Sequence, residues 1–401
     1  MWRVPSSGPR LTVALCIAEI VAMSTFASFP ALTPFFFDHW NLSGEDAGWV
    51  NAAFFFGFTL VGPVVTSMTD RIDARRIFLI GCFMAFVGAY GFAFYADGFL
   101  SALPWRFISG AGLGCTYMPG LKLLTDRLPD GDQSRAIAFY TACFSTGSAI
   151  SFLLVGQVDL WFGWEMALVS TIAGPPIAII IILLSTVPRQ MTAQRPWSQI
   201  FNYAPVVTNR FSMGYILAYV CHTWELVAMR SFMLAFLAYS HALTDAPAWM
   251  DVSAITAAAV FLGLPSSVLG NELSLRIGRQ RSITLVMIIC LFFSFTVGFT
   301  AHMPFVFVVA MAALYGVMIT ADSSSITAGA VGSAPADLRG ATMAVHSFLG
   351  FGGGMIGPVV AGIVLDQAGG PGSTLGWGLM FISMGAITLL GPFALRLTRN
   401  R

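Results

Sequence analysis

Charge is what this sequence has least of. Only 10% of its 401 residues are Asp, Glu, Lys or Arg, against roughly 25% in a soluble domain. Alongside 57% hydrophobic residues, that scarcity excludes a water-soluble core, which could not hide so much apolar surface. Lysine is almost missing: Lys122 is the single one among 20 basic residues, a bias expected of a GC-rich bacterial genome rather than of function. The six cysteines (Cys16, Cys82, Cys115, Cys143, Cys221 and Cys290) have neither a disulfide framework nor metal-ligand spacing, and they read as small buried apolar side chains. There is no Gly-x-x-x-x-Gly-Lys-Ser/Thr loop and no soluble segment to hold a nucleotide, which argues against an ATP-driven pump. No catalytic constellation stands out, so an enzyme is not expected, and neither is a cofactor, a metal or a nucleic-acid partner.

What the chain does have is successive apolar runs of roughly 20 residues, the length that crosses the hydrocarbon core of a bilayer. Only helices and closed barrels satisfy their backbone in lipid, and these runs are too long and too uniformly apolar for barrel strands of ~10 residues. The pattern predicts an all-α membrane protein with spans near 11–33, 47–67, 77–96, 100–124, 136–156 and 166–187. A second set is expected near 211–235, 254–274, 282–301, 303–327, 341–364 and 377–395. The first run has no small-residue cleavage site and carries Glu19, so it reads as a retained helix rather than a signal peptide.

Orientation follows from the basic residues, which stay on the cytoplasmic side of short loops. With the N-terminus inside, every one of the 20 except Arg106 and Arg230 falls in a cytoplasmic segment, while the outer loops carry only acids, among them Asp38, Glu45, Asp97, Asp251 and Asp366. Both termini are then cytoplasmic. A bacterial inner membrane, multi-pass, is the expected location, with the lipid bilayer as surroundings and a monomer sufficient.

The longest polar gap, Pro188 to Arg210, separates the two sets and divides the chain into 1–188, a linker 189–210, and 211–401. The halves repeat. Asp70-Arg71-Ile72-Asp73-Ala74-Arg75-Arg76 follows the second span and Leu275-Arg276-Ile277-Gly278-Arg279-Gln280-Arg281 follows the eighth, while Arg135-Ala136 opens the fifth and Arg339-Gly340 the eleventh. A near-constant offset indicates duplication, a common transporter plan.

At these residues the chain resembles the major facilitator superfamily over its whole length. The family's loop after the second helix, Gly-x-x-x-Asp-Arg-x-Gly-Arg-Arg, is matched by Asp70, Arg71, Arg75 and Arg76, with Thr66 and Asp73 in place of its two glycines. Arg-x-x-x-Gly-x-Gly in the fourth helix is met by Arg106, Gly110 and Gly112. The antiporter-type Gly-x-x-x-Gly-Pro is absent from the fifth helix and stands instead in the eleventh, as Gly353, Gly357 and Pro358. The resemblance implies two pseudo-symmetric six-helix bundles around a central cavity, with Asp70, Arg71, Arg75 and Arg76 as a cytoplasmic latch and the small residues as sliding contacts. By charge alone, the loop could equally do no more than fix topology.

Ionisable groups at bilayer depth cost at least ~2.5–3.5 kcal/mol each, so each needs a reason. They are Glu19, Arg106, His222, Glu225, Arg230, Asp322 and His346, and all but His346 fall on the first, fourth, seventh and tenth helices, which line the cavity in the family fold. At ~1.5 Å per residue, Glu19 and His222 reach the mid-membrane, Arg106 and Glu225 share an outer level, and Lys122 and Asp322 an inner one. Each pair could face across the cleft. Glu19 with His222 is the expected proton-responsive centre and Lys122 with Asp322 an expected gate. The two arginines suggest an anionic substrate, because guanidinium groups bind carboxylates and phosphates through paired hydrogen bonds. Arg230 could instead snorkel and Arg106 could be structural. Trp224, between His222 and Glu225, is a candidate cavity wall, and His346 a packing residue.

These observations lead to a secondary transporter working by alternating access, proton-coupled, for a small organic or inorganic anion. The rival within the class is efflux of hydrophobic or cationic compounds. A receptor or assembly platform on the same fold is the rival outside it, but little chain lies outside the membrane through which it could signal.

Overall fold

The computed structural model describes residues 8–69, 71–128, 133–190, 202–335 and 338–398, and among them there are helices and turns but no strands. The first span is Gly8–Ala22, extended by a short 3-10 turn Met23–Thr25, and it resumes beyond a break as Thr33–His39. The others of the first half are Gly44–Met68, Ala74–Tyr95, Phe99–Thr125, Gln133–Phe162, and a sixth made of Trp164–Thr171 and Gly174–Ser185. The seventh is Arg210–Leu243. An eighth made of Val252–Phe261 and Gly263–Ile277 follows, then Arg279–Thr296, a tenth of Phe305–Ala321 and Ser323–Gly332, Arg339–Gln367, and a twelfth beginning Thr374–Ala386.

Eleven of these are long and apolar enough to cross a membrane. The fourth, Phe99–Thr125, falls outside that set although its 27 residues would run to about 40 Å. It carries Arg106, Lys122, two prolines and four glycines, and most of its length is buried among other helices, where small and polar residues replace lipid-facing ones. Eleven candidate spans are thus found among the described residues where twelve were expected, and the fourth expected span is present as a long, largely buried helix. The largest differences from expectation are the length of the seventh span, which runs eight residues beyond residue 235, and the breaks inside the first, eighth and tenth.

Each half packs as its own bundle, and the second and eleventh spans, one from each half, lie against each other. Gly44 faces the backbone of Gly362, and Gly48 faces that of Pro358 and Val359, so closely that a Cβ on either glycine would overlap the neighbour. The fifth and eighth spans meet where Gly156 abuts Ser253. All of these contacts lie at the end of the molecule that bears the acidic loops. At the opposite, basic end, among the described residues, the fourth and tenth spans are not packed on each other. The contacts that join the two bundles through the fifth and eighth spans are thus concentrated at the acidic end.

Candidate functional site

The site is best approached from the break in the first span. Pro30 has no N–H, so the carbonyl of Phe26, four residues earlier, loses its helical donor. The polypeptide turns through residues 26–32 before helix resumes at Thr33. Arg106 of the fourth span fills the gap. Its Nη1 donates to Thr25 O (3.1 Å) and Ser28 Oγ (2.9 Å), and its Nη2 to Phe26 O (3.4 Å). Ser151 of the fifth span accepts from Ala27 N and donates to Ser24 O, closing the other side. The guanidinium also lies 4.6 Å from the Phe54 ring centroid and is 1% exposed. A cation at the end of a helix is favourably placed against its dipole. Both terminal nitrogens of Arg106 are engaged inside the first bundle, and only Nε is without a partner.

Arg230 is in the opposite situation. It projects from the middle of the seventh span, is 7% exposed, and holds its guanidinium 5.9 Å from the Phe144 ring of the fifth span, in the other bundle. No hydrogen bond or ion pair joins it to any described residue. Phe144 belongs to an aromatic layer drawn from both bundles: it packs on Phe26 and Tyr117, while Phe351 of the eleventh span contacts Phe55, Phe58 and Tyr219. Arg230 is therefore an unpaired cation that reaches across the cleft above an aromatic floor.

The carboxylates are turned inward, one into each bundle. Glu19 is fully buried, accepts from Tyr140 Oη (3.0 Å) and Thr116 Oγ1 (3.4 Å), and has no cationic partner. Glu225 accepts from Tyr315 Oη at 2.6 Å in the second bundle. Asp322 sits at the break in the tenth span, 2.8 Å from His222 Nδ1 by distance but without in-line hydrogen-bond geometry at that oxygen. Tyr219 stacks on both His222 and His346, at 5.4 and 3.9 Å between centroids, and His346 Nε2 lies 3.2 Å from Thr327 Oγ1. His222 Nε2, His346 Nδ1 and Trp224 Nε1 are buried without partners. Among the described residues no group of three or more His, Cys, Asp or Glu side chains could hold a metal.

Three expected pairings are corrected by this geometry. His222 meets Asp322 rather than Glu19, because Tyr140 and Thr116 draw Glu19 into its own bundle. Lys122 meets Asp126, one turn further along its own helix, at 2.8 Å rather than Asp322, since the basic ends of the fourth and tenth spans stand apart. Arg106 and Glu225 do not meet either. Of the expected latch, Asp70 lies outside the described residues, and Arg75 Nε donates to Thr186 Oγ1 (3.0 Å) within the first bundle. Gly353 and Gly357 pack on the seventh span of their own bundle, against Val220 and the carbonyl of Trp224, while the Pro358 carbonyl faces Gly48 across the interface.

Sequence reasoning missed two residues that do much of the joining. Asp73, which occupies a glycine position of the family loop, caps the third span and takes Arg127 Nη2 (3.0 and 3.2 Å), Arg189 N (2.8 Å) and Arg75 N (3.1 Å). Burial pushes its carboxyl up, but the Arg189 and Arg75 amides and the Arg127 guanidinium more than offset that and hold it below the usual carboxylate range. The departure from the family pattern was itself the signal. The second missed residue, Asp366, carried no such sign beyond its position at the end of a span.

A family model described as Major Facilitator Superfamily matches residues 14–358. The chain is 23% identical over 390 residues to the hexuronate transporter of Bacillus subtilis (strain 168), covering 88% of this chain and 87% of that protein. It is 26% identical to the uncharacterized MFS-type transporter YwoD of the same organism, but over only 36% of this chain and 31% of that protein, about a third of each. Among solved structures the nucleoside transporter NupG superposes with a TM-score of 0.72 over 98% of this chain and 100% of its own, at 15% identity, a likeness of fold.

Proposed function

The chain belongs to the Major Facilitator Superfamily, and from that premise we propose that it is a proton-coupled carrier of a small anion, working by alternating access. The observation that carries the anion reading is Arg230: a buried residue whose guanidinium is unpaired among the described residues and reaches across to the other bundle. Burying a cation without a partner is costly unless something anionic arrives to meet it. Arg106 does not share that role, because its terminal donors are engaged at the break in the first span. The aromatic layer beneath Arg230 suits a compact organic anion with an apolar or ring face, held by charge at one end and by contact at the other. A relative named for hexuronate, a sugar carboxylate, fits the same class.

The proton sites in this reading are Glu19 and the His222–Asp322 pair, which lie in different bundles. No cation is paired with Glu19, so a proton is what can neutralise it. We divide the chain at 1–188, 189–210 and 211–401, place the basic end in the cytoplasm of a bacterium with both termini there, and take the working unit as a monomer. The closed, acidic end then faces away from the cytoplasm. The aromatic layer also favours a second reading, efflux of hydrophobic or cationic compounds, in which Phe144 and Phe351 would hold the cargo without Arg230.

A thermal-shift screen of purified protein against small carboxylates, inorganic anions and lipophilic cations separates the two. An anion should raise the melting temperature, by up to about 2.7 kcal/mol of stabilisation at a hundredfold excess over its Kd. Arg230→Gln should abolish that shift and Arg230→Lys should weaken it, since an ammonium cannot bind a carboxylate in paired fashion. Stabilisation by lipophilic cations that survives in Arg230→Gln would favour efflux and remove the anion reading.

A further inference from the structure

The acidic-end closure is made by two interfaces that occupy matching places in the duplicated halves: the second span with the eleventh, and the eighth with the fifth. In both, a polar side chain joins the bundles at the tip of the interface, but the chemistry differs. At the first, Asp366 from the end of the eleventh span accepts from the backbone amides of Gly44 (Oδ1, 2.7 Å) and Glu45 (Oδ2, 2.7 Å), the opening turn of the second span. At the second, Gln157 of the fifth span donates to Asp251, which also caps its own helix by accepting from Ser253 N (3.0 Å). One catch is a carboxylate on two free amides of a helix start, the other a neutral amide on a carboxylate.

We propose that Asp366 is the releasable catch of the acidic-end gate, setting how much of the population is closed at that end. The proposal rests on the alternating-access reading. Three features support it. The two bonds are short, charge-assisted and bidentate, and they bring a negative charge to the positive end of a helix dipole. They cross between bundles, so they exist only when that end is shut. Directly beneath them Gly44 faces Gly362 and Gly48 faces Pro358 at backbone distance, so the two helix tips come close enough for Asp366 to reach the amides only in the closed arrangement. Asp366 is only half-buried, so water can replace the amides when the bundles part.

Asp366→Asn is the discriminating variant. It keeps the shape and one acceptor oxygen but sets an amide donor against a backbone donor. The readout is the distance distribution between spin labels on Glu165→Cys and Leu375→Cys, exposed residues at the acidic end of opposite bundles, with the half-buried Cys16 replaced by Ala. The ratio of short to long distances should fall roughly tenfold in Asp366→Asn, the scale of one charge-assisted hydrogen bond at a wet site. Gln157→Ala should fall less. Gly48→Val, whose added side chain meets the Pro358 backbone, should open the same end without touching the catch. A wild-type distribution in Asp366→Asn while Gly48→Val opens overturns the catch and leaves alternating access standing. If neither variant lengthens the distance, this interface is no gate, and the alternating-access premise fails together with the catch.

Discussion

Arg106 and Arg230 are the same side chain with nearly the same burial, and their surroundings set them to different tasks. Arg106 replaces the helical donor that Phe26 O loses to Pro30, and it joins the Ser28 amide and hydroxyl on Thr25 O. Its removal leaves the Phe26 carbonyl unsatisfied at about 1–3 kcal/mol, so Arg106→Met should lower the melting temperature of the ligand-free protein by several degrees. Arg230→Gln, which removes an unpaired charge, should leave it unchanged or raise it. Melting curves without ligand test this, and equal losses in both variants would contradict the assignment. Part of the distinction was legible in the sequence. Pro30 stands four residues after Phe26 inside a predicted span, and a freed carbonyl there needs a donor from another helix. What the sequence could not supply was which arginine reaches it. Depth along a helix was readable at ~1.5 Å per residue, but direction around it was not, and for that reason Glu19 and His222 share a level without meeting.

Among elements, the apolar runs placed the eleven candidate spans because bilayer thickness fixes their length, and they also marked the fourth helix despite its polar residues. The breaks at residues 26–32, at Leu262 and at Asp322 were not legible from hydropathy, which averages over a window and does not register where single backbone bonds are lost. Asp73 is the clearest case of an element end decided by tertiary partners. It ties the start of the third span to Arg127 at the end of the fourth and to the backbone after the sixth. Its carboxyl is held below the ordinary range, so the bridge contributes stability that is complete above the unfolded value of about 3.9 and is lost as pH falls through the lower folded value. Wild-type protein should therefore lose more melting temperature than Asp73→Asn does between about pH 5 and acid conditions near pH 3. Parallel losses in the two proteins would show that the bridge adds nothing.

At the scale of the whole molecule, duplication was readable from the matched loops after the second and eighth spans, and with it the two-bundle plan. Which end is closed was not, because it depends on contacts such as Gly48 with Pro358 that join residues more than three hundred positions apart. With the acidic end shut, Arg230 is, in the proposed reading, the group a solute reaching the bundle interface would meet, and Glu19, turned inward in the other bundle, is the proposed place for a proton.

The most direct measurement is proton movement into liposomes carrying the purified protein, driven only by a gradient of the anion found in the ligand screen and followed with a pH-sensitive dye. Wild-type protein should move protons with the anion, Arg230→Gln should move neither, and Glu19→Gln should carry the anion without the pH change. Anion-driven proton flux that persists undiminished in Arg230→Gln would contradict the account.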